Sequence, residues 1–157
     1  MMKFKIKKTK ACLSARQGFT LIEMLLSVAL IGLLAGISVP VYQSVQFRND
    51  LAVGSNIIAR SLRRAQTLSR ATSQDIEWGV HIQSGSITIF QGTDYANRDS
   101  SFDEYFELSP SINPSGLGEI IFDKLTGNPQ STGNITLNSS SGETKNITIN
   151  EKGTIDY

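Results

Sequence analysis

Polar and apolar positions fall into distinct regimes along the chain. Residues 1 to 18 hold six basic residues (Lys3, Lys5, Lys7, Lys8, Lys10 and Arg16) and no acid, and residues 24 to 47 carry no charge at all. That uncharged run exceeds the roughly 20 residues that a helix needs to cross a bilayer. The cations all precede it, so the positive-inside bias predicts one crossing, with the first residues in the cytoplasm and everything after Phe47 outside. From residue 51 to 72 the period becomes helical and amphipathic. Leu51, Ile58, Leu62, Ala65, Ser69 and Thr72 share one face, with Ile57 and Leu68 at its edge, and Arg60, Arg63, Arg64 and Arg70 take the opposite one. The two stretches predict one helix from about residue 19 to about residue 73, a transmembrane half followed by an amphipathic half. Its weak point is at Gly32, Gly36 and Pro40. Proline has no N–H for the carbonyl of Gly36, and each glycine costs about 1 kcal/mol relative to alanine, so a kink or meltable segment is expected at 32 to 40.

Beyond the helix the period drops to two. Ile76, Trp78, Val80 and Ile82 point one way, and Glu77, His81 and Gln83 the other. Ser84-Gly85 reads as a turn, and residues 87 to 90 continue the alternation. Residues 92 to 101 read as a polar loop and 105 to 108 as a short strand. Residues 109 to 118, with two prolines and two glycines, read as a linker. Further strands are expected at 120 to 125, 135 to 137, 147 to 149 and 153 to 157. About six short strands after a long helix predict an α+β class, a helix packed on a small antiparallel sheet domain.

Charge and cysteine content narrow the picture. The whole chain is +1, but without residues 1 to 18 it holds 9 Lys/Arg against 14 Asp/Glu, a net of −5. A mildly acidic product has no global attraction to nucleic acid. The lone cysteine, Cys12, is within the basic segment. A chain starting after it has no disulfide, thiol nucleophile or cysteine-held metal.

Glu23 interrupts the start of the apolar run, where a carboxylate costs on the order of 3 kcal/mol and calls for a partner unless it snorkels to the interface. An ordinary secretory signal would have a shorter apolar region, no acid at its start and an A-x-A-like site after it. The order seen instead is a basic leader, then Gly18-Phe19-Thr20-Leu21-Ile22-Glu23, then a membrane-length apolar helix. It resembles the prepilin signal of type IV pilins and type II secretion pseudopilins. The resemblance implies cleavage between Gly18 and Phe19 by a prepilin peptidase/methyltransferase, with N-methylation of Phe19. It implies that Glu23 meets the terminal amine of a neighbouring subunit and sets register, since a nearby cation offsets the cost of a buried carboxylate. It also matches a helix-breaking glycine and proline at this distance from the cleavage site, with Tyr42 following. The implied segments are a leader at 1–18, a transmembrane and filament-core helix at 19–47, an amphipathic helix at 48–73 and a β-rich domain at 74–157. The end of the chain is similar to H-type minor pseudopilins in the spacing of Ile121-Phe122-Asp123 with Gly127, Gly133-Asn134-Ile135-Thr136-Leu137, and Ile147-Thr148-Ile149 with Gly153. Many major pilins staple their C-terminal region with a disulfide, so the absence of cysteine after Phe19 leans toward a minor pilin or pseudopilin.

Catalytic chemistry is thin. His81, the sole histidine, reads as a surface residue, and no nucleophile elbow, paired-histidine metal motif or phosphate-cradling loop follows Phe47. Asp94, Asp99, Asp103, Glu104 and Glu107 are hard oxygen donors of the calcium-binding type, but in no defined loop spacing they read as a solvated acidic surface. Asn134, Asn138 and Asn146 fit a glycosylation sequon and are equally explained by Asn/Thr-rich strands and turns. Arg60, Arg63, Arg64 and Arg70 are the one candidate contact for phosphate or a partner. Some minor pilins of competence systems bind DNA through basic C-terminal residues, whereas this chain ends Gly153-Thr154-Ile155-Asp156-Tyr157.

The reading is therefore a non-enzymatic, cofactor-free and metal-free structural subunit of a type IV pilus or type II secretion pseudopilus. It is a single-pass inner-membrane protein with an external domain, later extracted into a filament. Its implied partners are other pilin or pseudopilin subunits, the processing enzyme, the inner-membrane assembly platform and the membrane. A DNA-uptake pilin is the alternative, with DNA the less favoured partner. A bulky residue at position 18 is expected to block processing. The retained precursor would be about 2 kDa heavier, for 18 residues at roughly 110 Da each. Intact-mass measurement checks this, and a mature start elsewhere, such as after Ser38, contradicts it.

Overall fold

The computed structural model describes residues 18–71 and 76–157, the side chains of 38–41 excepted. The chain divides into two compact units, the first ending at Val39 and the second beginning at Pro40. One helix, α1 (Leu21–Arg70), contributes to both, and its backbone is helical throughout, Gly32, Gly36 and Pro40 included. The basic leader with Cys12, and the Thr72 and Ser73 positions expected to finish the helix, lie outside the described residues.

In the first unit every described side chain is exposed, including Phe19, Leu21, Ile22, Met24, Leu25, Leu26 and Leu30. In the second unit α1 buries Leu51, Ile58, Leu62, Ala65 and Ser69, the face set by the 3.6-residue period, with Ile57 and Leu68 partly buried at its edge. Arg60, Arg63, Arg64 and Arg70 are exposed, as the same period requires.

Eight strands follow: β1 (Trp78–Gln83), β2 (Ser86–Gln91), β3 (Asp99–Glu107), β4 (Ile112–Gly116), β5 (Glu119–Phe122), β6 (Gly133–Ser139), β7 (Thr144–Ile149) and β8 (Ile155–Asp156). They form two four-stranded antiparallel sheets in the orders β3-β2-β1-β5 and β4-β6-β7-β8, the small antiparallel sheet domain expected, with eight strands in place of about six. Both feed one core. Val80, Ile82, Ile87, Ile89, Ile120 and Phe122 come from the first sheet, and Ile112, Ile135, Leu137, Ile147, Ile149 and Ile155 from the second.

Strands reach into two segments expected to be irregular. β3 takes in the end of the loop expected at 92 to 101 together with most of the short strand expected at 105 to 108. On this outer strand Asp99 and Glu107 are exposed, where charge discourages adventitious pairing, while the Asp103 side chain is buried against Arg98. The expected linker contains β4, and Pro114 is accommodated because β4 pairs only with β6, an outer position that leaves the missing N–H without consequence. Strand ends also differ. β1 starts at Trp78 with Ile76 exposed before it, and β5 stops at Phe122, after which Leu125 sits in a turn with a φ of 69°.

Polar side chains tie the helix to the sheets. Buried Ser69 donates its hydroxyl to the Phe122 carbonyl at 3.0 Å and accepts from the Trp78 N–H at 3.1 Å, while its own carbonyl accepts the Leu125 N–H at 3.1 Å. A serine on the apolar face thus caps the helix end against β1 and β5. Gln66 donates through Nε2 to the carbonyls of Gly127, at 3.0 Å, and Gly153, at 3.3 Å, joining the turns before β6 and before β8. Nearer the start of the unit, Ser109 and Ser111 donate to Asp50, and Arg48 pairs with Glu143 at 2.8 Å.

Gly153 has a φ of 72°, and a Cβ there would run into the Gln66 amide. Gly153→Ala is expected to cost about 1–3 kcal/mol, from backbone strain and loss of the Gln66 hydrogen bonds. Gly142→Ala, at a φ of 84° in open space, carries the strain alone and is expected to cost about 1 kcal/mol. Urea-denaturation midpoints of the two variants check the difference.

Candidate assembly site

The head of α1 is organised around Thr20. Its carbonyl accepts the N–H groups of Glu23, at 3.1 Å, and Met24, at 3.2 Å, and its hydroxyl accepts the Glu23 N–H at 3.3 Å. Thr20 is thus the N-cap and Glu23 the third helical residue, the Thr-x-x-Glu spacing of a capping box. Sequence reasoning passed over this signature because the apolar run drew attention to Glu23 as a charge rather than as a helix-start residue. A carboxylate in the first turn also complements the positive end of the helix dipole.

Gly18, Phe19, Thr20 and Glu23 line one shallow concavity. An amine created at Phe19 would lie one helical turn from the Glu23 carboxylate by sequence, and both residues are exposed. Below Glu23 the surface is uncharged through Phe47, and α1 is the one described helix long and apolar enough to cross a membrane. Gly32 and Gly36 have open space where a side chain would be, so their surface admits close approach of another helix.

Arg60, Arg63, Arg64 and Arg70 have different surroundings. Arg64 makes a two-pronged pair with Glu104 of β3, both contacts at 2.6 Å, which raises the guanidinium pKa further. Arg63 reaches the Ile155 carbonyl at 3.5 Å and lies over the Tyr157 ring at 5.3 Å. Arg70 donates to the Thr126 carbonyl at 3.1 Å. Among the described residues Arg60, alone of these four, has no hydrogen-bond or ion-pair partner.

The acids are engaged locally. Asp94 accepts from the Asn97 side chain and backbone, and this holds its carboxyl below the usual range. Asp99 is lowered likewise by the Ser101 N–H. Asp103 pairs with Arg98 at 2.9 Å and accepts the Tyr105 hydroxyl. Among the described residues no group of three His, Cys, Asp or Glu is arranged to hold a metal ion.

His81 is not the plain surface residue expected. It stacks on Tyr95 with ring centroids 3.9 Å apart, and Arg98 covers the Tyr95 ring at 3.8 Å. Its Nδ1 is buried 3.7 Å from Glu119. The stack, with Phe90 edge-on to Tyr95, folds residues 92 to 98 over the outer face of the first sheet, so β2 is covered on both sides.

Comparison with known proteins fits this geometry. The prokaryotic N-terminal methylation motif matches residues 13–39. Two fimbrial proteins of Pseudomonas aeruginosa are each 30% identical over 132 residues, covering 83% of this chain and 73% of theirs. The solved structure of the minor pseudopilin EpsH from the type 2 secretion system of Vibrio cholerae superposes with a TM-score of 0.51 at 13% identity, over 68% of this chain and 94% of that one. The long helix on a small antiparallel sheet domain is the pilin-like α+β fold. This chain belongs to the type IV pilin and pseudopilin family, structural subunits of pili or secretion pseudopili that assemble with other pilins after processing by a prepilin peptidase.

Nothing among these findings favours a DNA-uptake role. Residues 48 to 157 hold 9 Lys/Arg against 13 Asp/Glu, a net of −4, and Arg63, Arg64 and Arg70 are occupied within the domain. Titration of labelled duplex DNA at about 150 mM salt is expected to show at most weak binding that falls steeply with added salt. Tight binding abolished by Arg63→Ala with Arg64→Ala contradicts this.

Proposed function

We propose that the chain is made as a single-pass inner-membrane precursor, cleaved between Gly18 and Phe19, N-methylated at Phe19, and drawn by an inner-membrane assembly platform into a filament. Residues 19 to 47 form the filament core and the domain faces outward, in the periplasm or beyond. The reading rests most on Glu23, the only charged residue between Phe19 and Phe47, placed in the first turn of α1 beside the proposed new terminus. In this position it neutralises the Phe19 amine of a neighbouring subunit and fixes register. Gly32, Gly36 and Pro40 act as the extensible part of the helix, since the glycines lower helix propensity and the proline removes one backbone bond. The work of the subunit is mechanical, in pilus biogenesis or protein secretion, and requires no chemistry of its own.

Glu23→Val removes a membrane-buried charge, so it is expected to preserve insertion while lowering incorporation into filaments. Membrane fractionation reads the first effect and a shear assay the second. Normal incorporation of Glu23→Val contradicts the assembly role.

A further inference from the structure

Two unlike surfaces occupy opposite edges of the first sheet. Beside β3, an outer strand, lies a groove of about 240 Å³ lined by Ile57, Arg60, Ser61, Arg64 and Phe106. Arg64 is fixed at its rim by Glu104. Arg60 has no partner among the described residues, so the groove combines an apolar floor with one cation left open.

Beyond β5, the opposite outer strand, the turn after Asp123 presents Leu125, 68% exposed. It is the only non-glycine residue with positive φ among the described residues. Its conformation is held by its own N–H on the Ser69 carbonyl and by the Gly127 N–H on the Asp123 carbonyl. A bulky apolar side chain kept outward in the left-handed region points to a role outside the isolated domain. Beside it Gln130 donates to both Asp123, at 2.9 Å, and Glu77, at 3.2 Å, holding two carboxylates together. Two cations lie at that turn and both are engaged: Lys124 is partnered, and Arg70 donates to the Thr126 carbonyl at 3.1 Å.

We propose that a second copy of this chain docks here, its Leu125 seated between Ile57 and Phe106 and its Glu77–Asp123 carboxylates facing Arg60. The inference rests on the reading that the chain assembles with pilin-type subunits. Charge and shape complement each other across two different faces, so the contact is heterologous. The knob is anchored at the level of Ser69 and the groove spans the level of residues 57 to 64, an axial offset of roughly 8 to 18 Å at 1.5 Å per residue. A heterologous contact with an axial offset propagates as an open helical array instead of closing into a dimer.

The test uses the full chain in its own membranes and sheared filaments, in a Cys12→Ser background. Ile57→Cys with Leu125→Cys on one chain should give an oxidative ladder of dimers, trimers and higher species, while either substitution alone stays monomeric. Arg60→Asp should lower the yield severalfold, and adding Asp123→Arg should restore it. Leu125→Asn suits the left-handed backbone, so it should keep the thermal midpoint while lowering filament incorporation. Monomers only from a chain present in the filament fraction, dimers from a single-cysteine chain, or adducts solely with other proteins would overturn the contact and leave the assembly reading standing. Absence of the unsubstituted chain from the filament fraction would overturn both.

Discussion

An apolar helical surface with no cover inside its own unit is the constraint from which the rest of the molecule follows. From Leu21 to Ile37 every side chain of α1 is exposed, and the only charge on this stretch is the Glu23 carboxylate. Removing such a surface from water is worth roughly 25 cal/mol per Å², which favours its cover by lipid or by like helices. Hydrocarbon offers a carboxylate no counter-charge, and a neighbouring helix with a terminal amine does. On the proposed assembly, the same residue that resists membrane burial favours packing beside a neighbouring helix. Thr20 contributes by starting the helix so that Glu23 falls in its first turn.

The domain end of the helix solves the opposite problem. Its apolar face is closed over by two sheets, and its polar groups are committed to particular strands and turns: Ser69 to β1 and β5, Gln66 to Gly127 and Gly153, Arg64 to β3. Exposed ion pairs such as Arg64 with Glu104 add little stability. Their effect is to occupy cations that would otherwise attract phosphate. What remains available on this surface is one arginine beside an apolar groove and one strained, exposed leucine, features suited to a protein partner more than to a polyanion.

Much of the helix was legible in the sequence because both of its environments write a period into it. The uncharged run marks the membrane-length half, and the 3.6-residue spacing of Leu51, Ile58, Leu62, Ala65 and Ser69 marks the face that the core covers. The strands were less legible. Only the end of β3 was read as a strand, at 105 to 108; its start, Asp99-Ser100-Ser101, is polar and exposed and gives no apolar alternation. β4 contains Pro114, which reads as a breaker until β4 proves to be an edge. β2 is buried on both faces because residues 92 to 98 fold over it, a tertiary fact that no local period encodes. At the site, Glu23 stands out through its charge, and Gly18 and Phe19 through the resemblance to a prepilin signal. Thr20 does not, since its role depends on where the helix begins, and the arginine partners depend on strands distant in sequence.

The central claim is that Glu23 meets an amine belonging to another subunit. Filaments assembled from an equal mixture of chains, half with 15N at the Phe19 amine and half with 13C at the Glu23 carboxylate, test it directly by solid-state dipolar recoupling. An intermolecular contact within about 4–6 Å, the range over which an opposite charge stabilises a carboxylate, is the predicted result. Coupling seen only when both labels are on the same chain would contradict the account.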